Sequence, residues 1–222
     1  MRDYVALDNL WRASLLGALC TVMAVPRIIL ADMDVWVFVP AAFLCMTLCA
    51  GAATAWEGRG GMVGLFPDGK IMGIGLAIAV VLAGGVSLAY WLWLDDVVIR
   101  AIESGHDPKL MELRYPSTVA GCLALILWTA GFETLFLKAS ALSFVSRLTG
   151  RYWLSVLFAA LLQAGLAAKM CSVAGITEFV SVIVLCAIVG SVVGSMLFCK
   201  FGLLPAMVFA GGSDLYLLWR GY

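Results

Sequence analysis

Runs of apolar residues long enough to cross a bilayer recur along the whole chain, parted by short polar stretches. A hydrocarbon core about 30 Å thick takes roughly 20 residues at about 1.5 Å rise each. Runs at 10–30, 35–56, 71–95, 118–146, 152–172, 176–199 and 202–219 approach or exceed that length. The pattern predicts an all-α polytopic membrane helical bundle of about seven transmembrane helices, with a range of about six to eight. The outermost runs are the weakest. Arg12 and the Pro26-Arg27 step interrupt the first, and Gly211, Gly212 and Asp214 interrupt the last, so each is expected to be tilted, broken or partly interfacial.

The polar connections divide the chain in texture. Residues 1–117 hold the N-terminal transmembrane helices, a glycine-rich connection from Glu57 to Lys70 and an interfacial connection from Asp95 to Ser117. Residues 118–222 have short connections and read as a four-helix core of antiparallel neighbours, the whole forming one membrane domain. In the longer connection, Asp107-Pro108 reads as an N-cap with proline at the first helical position. Lys109 to Arg114 reads as a short interfacial helix with Leu110, Met111 and Leu113 toward lipid. His106 reads as an exposed loop residue beside it. A cytoplasmic N-terminus puts eight basic residues (Arg2, Arg12, Arg59, Lys70, Lys138, Arg147, Arg151, Lys200) on or near that face and six on the other, which favours that orientation. Asp3 and Asp8 precede the first apolar run and no small-residue cleavage site follows, so the chain is expected to begin at Met1 without a cleaved signal.

Composition sharpens this picture. Hydrophobic residues make up 64% and charged residues 13%, against about 45–50% and about 25% in soluble domains, which excludes a soluble globular protein. Fourteen Lys+Arg balance fourteen Asp+Glu, leaving no basic field to draw nucleic acid. The single histidine cannot supply the paired imidazoles of a membrane haem or zinc centre, so no cofactor and no metal are expected. The seven cysteines lie in or at the ends of apolar runs without a CxxC pair and read as small buried hydrophobes, Cys45 and Cys49 included. Gly190 and Gly194 form a GxxxG, and Gly84-Gly85 and Ala50 to Ala53 offer further small surfaces, all expected to serve helix packing. Trp56, Trp91, Trp93, Tyr152, Trp153, Tyr216 and Trp219 mark run ends as an interfacial belt would. Such aromatic surface equally suits a partner subunit, a pigment or a quinone, so a pigment- or quinone-containing complex stays open as a partner beside membrane lipids.

Ionisable groups at membrane depth are expensive and point to function. Lys169, Glu178 and Lys200 can snorkel from run ends. Glu133 and Asp214 lie deeper and need donors. Lys138, five positions from Glu133, is badly placed for a pair within an α-helix, so the partners are expected from other helices, with Gln163 a candidate.

From Phe132 to Leu217 these residues resemble the CPBP intramembrane proteases, the family of CAAX-processing enzymes and bacteriocin-related Abi proteins. Its members carry a Glu-Glu pair with an Arg four residues on, then a Phe with a His four later, then a His with an Asn or Asp four later. The stretch Phe132-Glu133-Thr134-Leu135-Phe136-Leu137 is similar to the first motif, with Phe132 at the first Glu and Leu137 at the Arg. Trp153 to Ala167 is similar to the second, with Gln163 at the Phe and Ala167 at the His. Lys200 to Asp214 is similar to the third, with Ala210 at the His and Asp214 keeping the acid. The resemblance implies that Phe132, Ala167 and Ala210 meet at membrane depth. It also implies that protease chemistry is lost, since neither Phe nor Ala holds a metal or moves a proton. Glu133, Gln163 and Asp214 are the retained polar residues. The reading favoured is a catalytically inactive CPBP-like protein of a bacterial inner (cytoplasmic) membrane. It would serve as an accessory, scaffold or assembly subunit of a larger membrane complex. An enzyme of altered chemistry using Glu133 and Asp214, or a small membrane transporter, are the alternatives.

Overall fold

The computed structural model describes residues 7–56, 61–104 and 108–219, and no strand occurs among them. His106, the Asp107 cap and residues 57–60 of the glycine-rich connection lie outside the described residues, as does the side chain of Leu110. The helices are α1 (Leu7–Leu30), α2 (Val35–Ala55), α3 (Gly69–Ala89), α4 (Asp95–Ser104), α5 (Pro108–Arg114), α6 (Val119–Trp128), α7 (Ala141–Thr149), α8 (Tyr152–Ala174), α9 (Val180–Phe201), α10 (Leu203–Ser213) and α11 (Tyr216–Trp219). Two π-helical segments, Tyr90–Leu94 and Thr129–Ser140, carry α3 into α4 and α6 into α7.

Among the described residues, six helices are long and apolar enough to cross a membrane: Asp8–Leu30, Val35–Ala55, Gly69–Val97, Val119–Thr149, Tyr152–Ala174 and Val180–Phe201. A shorter apolar stretch, Leu203–Trp219, follows them. The protein is an all-α polytopic helical bundle and an integral membrane protein. The last expected span is the shorter stretch, broken at Asp214 between α10 and α11.

The first span is not interrupted. Proline removes one backbone hydrogen bond, a loss that membrane helices tolerate where neighbours compensate, and α1 continues through Pro26 to Leu30. It closes on Asp32 in the left-handed region (φ 55°), with the Met33 N–H donating to the Ile28 carbonyl at 3.2 Å. Asp34 then caps α2, its Oδ1 accepting from the Trp36 N–H at 3.0 Å. Small residues let α1 and α2 meet closely: Ala13 and Cys20 share a buried core with Ala50 and Ala53. A Cβ on Gly17 would stand 2.8 Å from the Thr47 backbone nitrogen.

α3 packs against α10, far from it in sequence. Gly75 lies against Phe201 and Pro205, and a Cβ on Gly212 would come within 2.8 Å of the Ala83 Cβ. Gly84 and Gly85 do not make the helix contact expected of them, because both face outward and a Cβ at either would meet nothing within 4 Å. The last carbonyls of α10 have no partners within the helix. Ser87 of α3 answers this, its hydroxyl lying 2.8 Å from the Gly212 carbonyl and 3.2 Å from that of Ser213. Where α9 turns into α10, the Leu65 carbonyl accepts from the Leu203 N–H at 2.9 Å, and the Val63 N–H donates to the Cys199 carbonyl at 2.9 Å. That turn needs glycine at 202: φ is 89°, and a Cβ would stand 2.6 Å from the Leu65 oxygen.

Candidate functional site

A cavity of about 560 Å³ lies between the helices. Its walls come from the C-terminal end of α1, the first π segment, the end of α5, the second π segment, and α8, α9 and α10. Most of the lining is apolar, yet Arg27, Arg114, Glu133, Lys138 and Asp214 all reach it, with Gln163 beside them.

Glu133 and Lys138 share this cavity because of the second π segment. In an α-helix, residues three and four apart are neighbours on one face. The i→i+5 bonding of a π-helix widens each turn and brings residues five apart together. Two side chains record that geometry: the Thr134 hydroxyl donates to the Thr129 carbonyl at 2.9 Å, and Trp128 Nε1 donates to Glu133 Oε1 at 3.2 Å. One expectation is thereby corrected: five positions of separation do not keep Glu133 and Lys138 from lining the same cavity. Glu133 takes one donor from its own helix, Trp128, and also faces Arg27 and Arg114 from other helices, as expected of its partners. Gln163 borders the same cavity from α8.

Lys138 is 9% exposed and runs along α9 where Gly194 leaves room, a Cβ there standing 3.1 Å from Lys138 Cε and Nζ. Gly194 therefore accommodates a side chain rather than a helix backbone. Gly190, one turn earlier, makes no packing contact of the expected kind: a Cβ on it would meet nothing within 4 Å, because it borders the cavity.

Asp214 sits at the break after α10, held from α3 by the Ser87 hydrogen bonds to the preceding carbonyls. Its Oδ2 is buried and accepts no hydrogen bond. Arg114 arrives from α5, which packs inward and not toward lipid as its pattern suggested. Met111 is 5% exposed in a cluster with Cys171, Ala174 and Ile176, and Leu113 faces the cavity. The apolar C-terminal turn of α8 gives α5 a drier seat than the interface offers. Burial opposes the charge on Arg114, but the carboxylates of Asp214 and Glu133 outweigh it and hold the guanidinium above its usual value. Burial likewise pushes the neighbouring Tyr115 phenol up, against the opposing pull of Arg114.

Ala167 and Ala210 both line the cavity, with Glu133, Gln163 and Asp214. Phe132 does not join them. Its ring stacks on Trp128 with centroids 4.1 Å apart, one layer behind a residue that does line the cavity. Tyr216 leaves the expected interfacial belt, being 5% exposed and stacked on Tyr90 at 4.8 Å. Trp91, Trp93, Trp153 and Trp219 are exposed at span ends. Sequence reasoning missed Arg27 and Arg114 as site residues. Each sits in the last turn of its helix, where a cation reads as complementing the helix dipole or reaching for the interface.

No group of three or more His, Cys, Asp or Glu suited to a metal occurs among the described residues. Three cations and two carboxylates lining a mostly apolar space can hold a charged group away from bulk water. Comparison of the chain with family models, curated proteins and solved structures finds no match.

Proposed function

We propose that this chain is a catalytically inactive, CPBP-like membrane protein that serves as an accessory, scaffold or assembly subunit of a larger membrane complex. We place it in a bacterial inner membrane with its N-terminus in the cytoplasm. One observation carries the reading. Glu133, Gln163, Ala167, Ala210 and Asp214 come from separate segments of the sequence and border one cavity, as the resemblance implies for them, while Phe132, the third position it places there, lies behind Trp128 and outside the cavity. Alanine stands at the positions the family gives to histidine, and a methyl group neither binds metal nor transfers a proton. A scaffold kept without its reactive groups is a reason to look for a role in assembly. The test is gentle solubilisation of the tagged full chain from its native membrane. Stoichiometric co-migration with other membrane subunits is expected, and a bare monomer under every mild detergent overturns the assignment.

A second reading, an enzyme of altered chemistry, is favoured by the buried Asp214 Oδ2 that accepts no hydrogen bond, since such an acceptor is a candidate base. A Glu133→Ala/Asp214→Ala double variant separates the two. Full biological activity in that variant removes the enzyme reading, and loss of activity with the complex intact removes the scaffold reading.

A further inference from the structure

The ionisable groups facing the cavity do not balance. Arg27, Arg114 and Lys138 face Glu133 and Asp214, so with both carboxylates ionised one positive charge remains over. An unmatched charge is costly at membrane depth. Pairing inside the set is also incomplete, because Asp214 Oδ2 is buried without a donor. The space therefore asks for one negative charge and one hydrogen-bond donor.

Its walls and mouth add a third requirement. The lining is mostly apolar, and it includes Leu166, 45% exposed on α8, and Val189, 52% exposed on α9. Both residues lie in the middle stretches of membrane-spanning helices, so the cavity is bordered there by positions that face lipid. Arg114, by contrast, lies on α5, outside the spans. A polar head directed toward Arg114 and a chain passing Leu166 and Val189 would satisfy both ends. A volume of about 560 Å³ falls within the roughly 300–1,000 Å³ of ligand pockets.

We infer that this cavity binds one anionic glycerophospholipid, its phosphodiester held by Arg27, Arg114 and Lys138, a head-group hydroxyl donating to Asp214, and an acyl chain leaving past Leu166 and Val189. Guanidinium forks and an ammonium suit phosphate oxygens. A free phosphate meets the same cations but has no use for the apolar walls. The inference rests on the cavity and its charges, not on the resemblance to proteases, so either can fail alone.

The experiment uses the full chain, delipidated in mild detergent and equilibrated with an equimolar mixture of phosphatidylglycerol and phosphatidylcholine, followed by native mass spectrometry. One phosphatidylglycerol retained per chain is expected, with phosphatidylcholine retained about tenfold less or lower still, as a charge-assisted contact implies. Arg114→Gln should lower retention about tenfold or more. Gly190→Leu keeps every charge and fills open space beside the cavity, and it should lower retention similarly while thermal unfolding stays unchanged or rises. If Arg114→Gln fails to fold, Gly190→Leu decides alone. Equal retention of the two lipids overturns the inference, as does retention unchanged in Gly190→Leu. Displacement of the lipid by millimolar inorganic phosphate also overturns it, assigning the cations to a free anion.

Discussion

Gly190 and Gly194 stand one turn apart on α9, yet a side chain at each would meet different surroundings. Gly190→Ala adds a methyl where nothing lies within 4 Å and removes backbone freedom from the unfolded chain, so a gain of roughly 0.5–1 kcal/mol is expected. Gly194→Leu drives into Lys138 and should cost about 1–3 kcal/mol. Unfolding in mixed micelles measures both, and two losses of equal size would mean that α9 packs through a GxxxG seam after all. Ser87→Ala removes the hydroxyl that meets the Gly212 carbonyl and should cost about 1 kcal/mol in the same assay. At this scale the sequence was legible for the acids and for Lys138, and opaque for the two arginines. Glu133 and Asp214 stand out in apolar runs because a carboxylate has no long stem with which to escape. Arg27 and Arg114 have such stems and lie at helix ends, so nothing local separates a cation that snorkels outward from one that turns inward.

Helices were legible wherever length and apolar content alone define them. Their interruptions were not. Pro26 breaks no helix, since a membrane span loses more by exposing several backbone groups than by forgoing one bond. α5 shows the same limit from another side: Met111 and Leu113 on a short helix fit a lipid surface and a protein surface equally, and only the arrival of α8 decides. Met111→Ala should therefore cost about 2–3 kcal/mol and speed amide exchange through Leu113 to Ser117, because undocking α5 releases Arg114 from the cavity. An α5 lying on lipid would show neither change.

At the scale of the molecule, the pairing of α3 with α10 could not be read in advance, because spans that are apolar on every side carry no periodic signal for which face meets which partner. The cavity that results has a chemical signature. Cys186 lines it, whereas Cys20 and Cys199 are 0% and 2% exposed elsewhere in the core. With the positive groups in excess, a small anionic methanethiosulfonate should modify Cys186 faster than a cationic one of the same size, by about tenfold. Cys20 and Cys199 should stay unmodified until the protein unfolds. Peptide mapping of the labelled protein reads all of these sites at once, and a preference for the cationic reagent would reverse the charge balance described for the cavity.

The second π segment sets the rotational phase between the two halves of one membrane span. Loss of a single residue between Thr129 and Ser140 would leave the span crossing the membrane, about as long and about as oily as before. Yet α7 would rotate against α6, and Glu133 and Lys138 would no longer look into the same space. A related chain could thus keep every gross hallmark of this protein while presenting a different set of side chains to its interior. Counting residues within that span is a finer guide to shared function than overall similarity.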